Sequence, residues 1–367
     1  MKNSRREFIK ASGLLAAGLS FPVRAQTPLK ILILGGTGFI GPHMVNYAVS
    51  RGHQVSIFTR GNRELDIPGV EHLVGDRNND HTALEGRSWD VILDNNAQDY
   101  RWVQTSTALL KDVAEHYILV SSISAYAAEG FGYENWQRLV FEPLIDEDYE
   151  RLRPPEGWND GDDASYGLMK ALCEDIAHAA FPNRCAVVRP GLIVGPGDPT
   201  DRFTYWPVRL DEGGEVLAPG NPNHANQIID QRDLTEWIVR LAENRVAGDF
   251  NATGPDFRLT MSTLLSAVGA AVDSDYVLSW IPEGFLEQQN VAPWSDMPTW
   301  IPGDTLSYVD IERALNTGLT FRSIEQTARD TLEWDKARPA AERENRRAGL
   351  SREREREIIA LWKNRHA

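Results

Sequence analysis

The chain has 367 residues, 42% of them hydrophobic, and a formal net charge of −15. That length supports one large α/β domain or a nucleotide-binding domain with a smaller companion. Residues 1–25 carry five cations against Glu7, so the charge is −19 without them, and no basic stripe compensates, which argues against nucleic acid as a partner. No apolar run reaches the roughly 18–20 residues of a membrane span, so no stable membrane anchor is expected. Cys173 and Cys185 read as reduced core thiols, and the eight scattered histidines form no metal-ligand set.

Ser4-Arg5-Arg6-Glu7-Phe8-Ile9-Lys10 has the pattern of a twin-arginine export signal. A mildly apolar stretch, Ala11–Val23, follows, and Val23-Arg24-Ala25 offers the small residues that a signal peptidase reads. The segment predicts cleavage before Gln26, the Tat export machinery as a partner, and a periplasmic location.

From Leu29 onward, short apolar runs alternate with stretches of helical length. Ile31–Leu34, Val55–Phe58, His72–Val74, Val91–Leu93, Ile118–Val120 and Ala186–Val188 read as buried parallel strands. Pro42–Arg51, Trp102–Glu115 and Tyr166–Ala180 read as helices between them. The alternation predicts an α/β fold, a Rossmann-type doubly wound parallel sheet with a smaller C-terminal substrate domain. Residues 26–189 and 226–254 are assigned to the dinucleotide-binding domain, with a helix at Arg232–Asn244. Residues 190–225 and 255–335, dense in Pro, Gly and Trp, are assigned to the companion, and 336–367 to a charged helical tail with a solvated face.

The first strand runs into Gly35-Gly36-Thr37-Gly38-Phe39-Ile40-Gly41, which opens the first helix. Glycines there permit a tight turn and let backbone N–H groups approach a pyrophosphate at the positive end of the helix. Gly35, Gly38, Phe39, Ile40 and Gly41 are therefore candidate cofactor contacts. After the second strand, Thr59 stands where an NAD enzyme usually has an acid for the ribose 2′-OH, and Arg60 and Arg63 would suit a 2′-phosphate. NADP is favoured over NAD, although Arg60 stacking on adenine would also serve NAD. Asp76 and Arg77, after the third strand, fall where such folds meet the adenine.

Val120-Ser121-Ser122-Ile123-Ser124-Ala125-Tyr126 ends the fifth strand, and Tyr166-Gly167-Leu168-Met169-Lys170 begins the next helix. Tyr and Lys four apart share a helical face, so the ammonium is expected to depress the phenol pKa from about 10 and favour a base. Of the ten tyrosines, Tyr166 alone has Lys at this spacing.

With GGTGFIG, VSSISAY, YGLMK and the strand-turn RPGLIVGPGD, the chain over 28–330 resembles the extended short-chain dehydrogenases/reductases of the NAD-dependent epimerase/dehydratase group. The resemblance implies Ser122 as the catalytic Ser/Thr, Tyr166 as the base, and Lys170 as the residue that holds the nicotinamide ribose and tunes Tyr166. It implies Asn96 and Ala97 as cofactor-lining residues. The group's dehydratases carry an Asp-Glu pair where this chain has Ile123 and Ser124, which disfavours a 4,6-dehydratase. Many nucleotide-sugar members have Asn where this chain has Leu192, which puts nucleotide-sugar binding in doubt. Tyr133, Trp136 and Trp158 in the acidic insertion 127–165, with Tyr205, Trp206, Trp280, Trp294 and Trp300, could wall a sugar or aromatic ligand or pack the core.

An exported enzyme has no obvious nicotinamide pool to turn over. The expectation is therefore an epimerase or oxidoreductase acting on a secondary alcohol of a sugar, glycoside or similar small molecule, in a redox-neutral cycle with a retained cofactor. A net NADP-dependent reductase or dehydrogenase, and a non-catalytic RNA- or ligand-binding member of the group, are the alternatives. A homodimer is left open.

Overall fold

In a computed structural model the described residues are 27–128, 145–302 and 308–365. The export pattern, Tyr133 and Trp136 lie outside them. The central layer is one seven-stranded sheet built from β1 (Lys30–Leu34), β2 (Gln54–Thr59), β3 (Glu71–Val74), β4 (Trp89–Asp94), β5 (Ala114–Val120), β6 (Cys185–Pro190) and β7 (Gly248–Ala252). Its order is β7-β6-β5-β4-β1-β2-β3, with every pairing parallel. Strand order reverses at β1, so the C-terminal ends of β1 and β4 diverge and leave the crevice in which such sheets bind ligands.

The strands are apolar because both faces are covered. On one face, α1 (Gly41–Ser50) and α4 (Gln231–Asn244) pack with Ile31, Ile33, Val91 and Val188. On the other, α2 (Tyr100–Leu110) and α3 (Tyr166–Ala180) pack with Leu32, Leu34, Ile92 and Leu119, and both cysteines are buried in this core as free thiols.

Three sequence expectations shift. The helix expected at Trp102–Glu115 starts earlier, capped by the Asp99 carboxylate accepting from Arg101 N, and it stops at Leu110 because the chain turns into β5 at Ala114. β7 has no counterpart among the expected strands. The charged tail is part of the companion unit: in α5 (Arg352–Asn364), Ile358 and Ile359 join a core with Trp206, Leu217, Leu264 and Trp300, while Glu355 is fully buried against Arg209. Conversely, Ala314 and Leu319, assigned to the companion, pack into the core of the sheet layer. The companion unit also holds the parallel strand pair Gly214–Pro219 and Tyr276–Ile281. Among the described residues no helix is long and apolar enough to cross a membrane.

Candidate active site

A cleft of about 600 Å³ opens at the C-terminal ends of the strands. Its floor is the turn Gly35–Gly41. Gly35 and Gly36 both have φ +106°, a region that side-chain-bearing residues rarely adopt. Gly41 starts α1 so close to this turn that a Cβ there would lie 2.5 Å from the Gly36 carbonyl oxygen. Gly38 has nothing within 4 Å of its Cβ direction, which leaves open space where a phosphate would approach the N-terminus of α1. A mutual fit of turn, helix end and open space suits a dinucleotide pyrophosphate.

Thr59, Arg60, Asn62 and Arg63 line one end of the cleft, with Gly75–Asn78 beside them. Arg60 is exposed, and Arg63 reaches the Thr37 carbonyl at 3.5 Å. The Asp76 carboxylate is held below the usual range, chiefly by the backbone N–H of Asn78, with Arg60 contributing attraction. Arg77 lines the cleft, but its guanidinium points into the protein and forms a two-pronged pair with Asp94 at 2.7 and 2.8 Å. Arg77 thus lies on the cleft wall with both terminal nitrogens engaged by protein groups.

At the other end stand Ser122, Tyr166 and Lys170, with Asn95, Asn96, Gln98, Trp102, Gly191 and Ile193. Ser122 caps the turn Ile123–Ala125, its Oγ accepting from Ser124 N at 3.1 Å. Gly167 lets α3 approach this turn, because a Cβ would collide with the Ser124 carbonyl. Lys170 is buried, and its Nζ donates to the Ala97 carbonyl at 2.8 Å and the Val120 carbonyl at 3.2 Å. Ala97 thus sits behind Lys170 and outside the cleft lining, while Asn96 lies on its wall.

The expected depression of the phenol is not seen in this arrangement. Lys170 Nζ lies 5.7 Å from the centre of the Tyr166 ring with its protons directed at two carbonyls. Desolvation pushes the Tyr166 phenol above its ordinary value, with the Ser122 hydroxyl pulling the other way. Burial likewise lowers Lys170. Tyr166 remains 54% exposed at the mouth, accessible to a substrate.

Behind the site, Glu174, one turn beyond Lys170 on α3, accepts from Ser121 Oγ, Arg151 and the Nε and Nη2 of Arg189. This buried network fixes α3 to the ends of β5 and β6. The repeated spacing Tyr166, Lys170, Glu174 was the available sequence signal for it. The proposed aromatic walls are mostly core: Trp206 and Trp300 are buried in the companion unit, Tyr205 packs on Trp206, and Trp158 packs edge-on against Tyr100. Trp280 is partly buried against the same companion core, and Trp294 stacks with Arg202.

A doubly wound parallel sheet whose switch-point cleft joins a glycine turn to a Ser, Tyr and Lys set defines a Rossmann-type fold, with the cleft where such sheets bind ligands. Residues 31–130 match the model of the NAD dependent epimerase/dehydratase family. Among curated proteins, the chloroplast stem-loop binding protein of 41 kDa b from Arabidopsis thaliana is 34% identical over 68% of this chain and 65% of its own length. The 2-alkyl-3-oxoalkanoate reductase of Stenotrophomonas maltophilia is 31% identical over 46% of this chain and 52% of its own. The chain thus spans less than two thirds of either relative's length. The UDP-glucuronic acid 4-epimerase of Bacillus cereus, solved with NAD, matches the fold over 83% of this chain and 98% of its own, with TM-score 0.56 and 15% identity.

Proposed function

We propose that the chain is an exported NAD(P)-dependent epimerase or related oxidoreductase acting on a secondary alcohol of a sugar, glycoside or similar small molecule. The observation that carries this reading is the convergence of Ser122, Tyr166 and Lys170 with the Gly35–Gly41 turn in one cleft. A nicotinamide cofactor bound there supplies a hydride acceptor and donor. Ser122 donates a hydrogen bond to the reacting substrate oxygen, and Tyr166 moves the proton at that oxygen. Lys170, fixed by two carbonyls, holds the catalytic end of the cleft in shape.

Thr59, Arg60 and Arg63 favour NADP, since two guanidinium groups can meet a 2′-phosphate and no acid stands at the end of β2. The Ser4–Lys10 pattern supports export through the twin-arginine pathway to the periplasm, and hence a cofactor that travels with the folded protein and is recycled in place. Leu192 favours a substrate without a nucleotide. The reading is tested by incubating purified protein with a panel of free sugars and glycosides without added nucleotide. Conversion under those conditions is the expected result; strict dependence on added NADP overturns the closed cycle.

Net reduction is the second reading, favoured by similarity to a protein named as a reductase. RNA binding is a third, suggested by the name of the stem-loop binding relative, and the charge of −15 weighs against it. A homodimer remains open to sedimentation.

A further inference from the structure

The loop Asn95–Ala97 lies between the two ends of the cleft. On one side it abuts the glycine turn, where a Cβ on Gly35 would lie 3.2 Å from Asn96 Cβ. On the other, its Ala97 carbonyl receives Lys170 Nζ at 2.8 Å. Any shift of this loop therefore moves the phosphate cradle relative to the catalytic lysine.

What fixes the loop is a buried ion pair. Asp94, fully buried at the end of β4, accepts four hydrogen bonds: from Arg77 Nη1 at 2.7 Å, Arg77 Nη2 at 2.8 Å, Asn96 N at 3.1 Å and Tyr117 Oη at 2.7 Å. Arg77 also donates to the Asn96 carbonyl at 3.2 Å and to Ser106 Oγ at 2.9 Å. Both polar groups of the Asn96 backbone are thus held by this pair. The neighbouring turn at 75–80 is different, because its own backbone bonds, Asp76 N to Asp80 O and Asp80 N to Asp76 O, hold it closed.

We propose that Arg77 and Asp94 are positioning residues that set the spacing between the glycine turn and Lys170, and so select for an intact dinucleotide over its adenine half. This rests on the dinucleotide reading of the cleft. A planar guanidinium matches a carboxylate at two points, so neither Arg77→Lys nor Asp94→Asn reproduces the pairing. An unpaired buried charge would also threaten folding. The paired variant Arg77→Met/Asp94→Leu removes both charges together, and Asp94→Asn keeps the shape.

The test is calorimetric titration of wild type, Asp94→Asn and the double variant with NADP, NAD and ADP, beside their melting temperatures. For a folded variant, dinucleotide affinity is expected to fall at least tenfold while ADP affinity changes less than threefold. Equal loss of dinucleotide and ADP, or no loss of either, overturns the positioning role. If both variants fail to fold, the pair is structural and the proposal falls. Failure of wild type to bind any dinucleotide refutes the cofactor reading itself, a result distinct from these.

Discussion

Two alanine substitutions in one turn are expected to part fold from function. At Gly41 a Cβ would lie 2.5 Å from the Gly36 carbonyl oxygen and 2.6 Å from Gly36 Cα, both rigid backbone atoms. Relief requires α1 to slide off the turn, and overpacking of this kind costs about 1–3 kcal/mol. For a domain of this size each kcal/mol lowers the melting temperature by roughly 2–4 °C. Gly41→Ala should therefore melt several degrees early and bind dinucleotide weakly. At Gly38 the same methyl meets nothing within 4 Å, so the fold is unaffected, but the methyl stands in the cleft where backbone must approach a pyrophosphate. Gly38→Ala should melt within about 2 °C of wild type, with dinucleotide affinity reduced tenfold or more. Differential scanning calorimetry and titration on the same samples read both quantities. Unchanged dinucleotide affinity in Gly38→Ala would refute the pyrophosphate assignment of this turn.

Tyr166→Phe removes the hydroxyl proposed to move the proton and should lower kcat by about 10²–10⁴ with little change in dinucleotide affinity, measured by steady-state kinetics and titration. Lys170→Met empties two carbonyl partners as well and should weaken both. Glu174→Ala takes the shared buried acid from Arg151 and Arg189, leaving them Asp175 and Asp249, and the loss should cost up to about 3–5 kcal/mol, read by denaturant unfolding. Burial depresses His116 and His224 to about 4, so unfolding takes up protons below the ordinary histidine value of about 6.5. Their contribution is complete above about pH 6.5 and is lost as pH falls toward 4, by up to about 3 kcal/mol each. His224→Gln should flatten the dependence of melting temperature on pH in that window.

Much of the sheet was legible because strands covered on both faces must be apolar, as in Ile31–Leu34 and Val91–Leu93. β7 was not, since Gly-Asp-Phe-Asn-Ala offers one large apolar side chain. Its polar residues are satisfied only in three dimensions, Asp249 by Arg189 and His178 and Asn251 by Tyr126. Ser122, Tyr166 and Lys170 share one cleft, and their association was legible because spacing on a helix and position after a strand are local signals. The pairing of Arg77 with Asp94 was not legible, because the two are 17 residues apart and nothing in the chain marks it. The tryptophans were left open between two roles, since an aromatic residue reads alike whether it walls a ligand or, like Trp206 with its Nε1 on the Pro298 carbonyl, fills a core.

The central claim is that this cleft carries a nicotinamide cofactor as a resident, recycled group. The most direct measurement is to purify the protein from the periplasm without added nucleotide, denature it, and identify small molecules in the supernatant by mass spectrometry. Near-stoichiometric NADP or NAD is the predicted result. Protein that is folded, recovered from the periplasm and free of either nucleotide would contradict it.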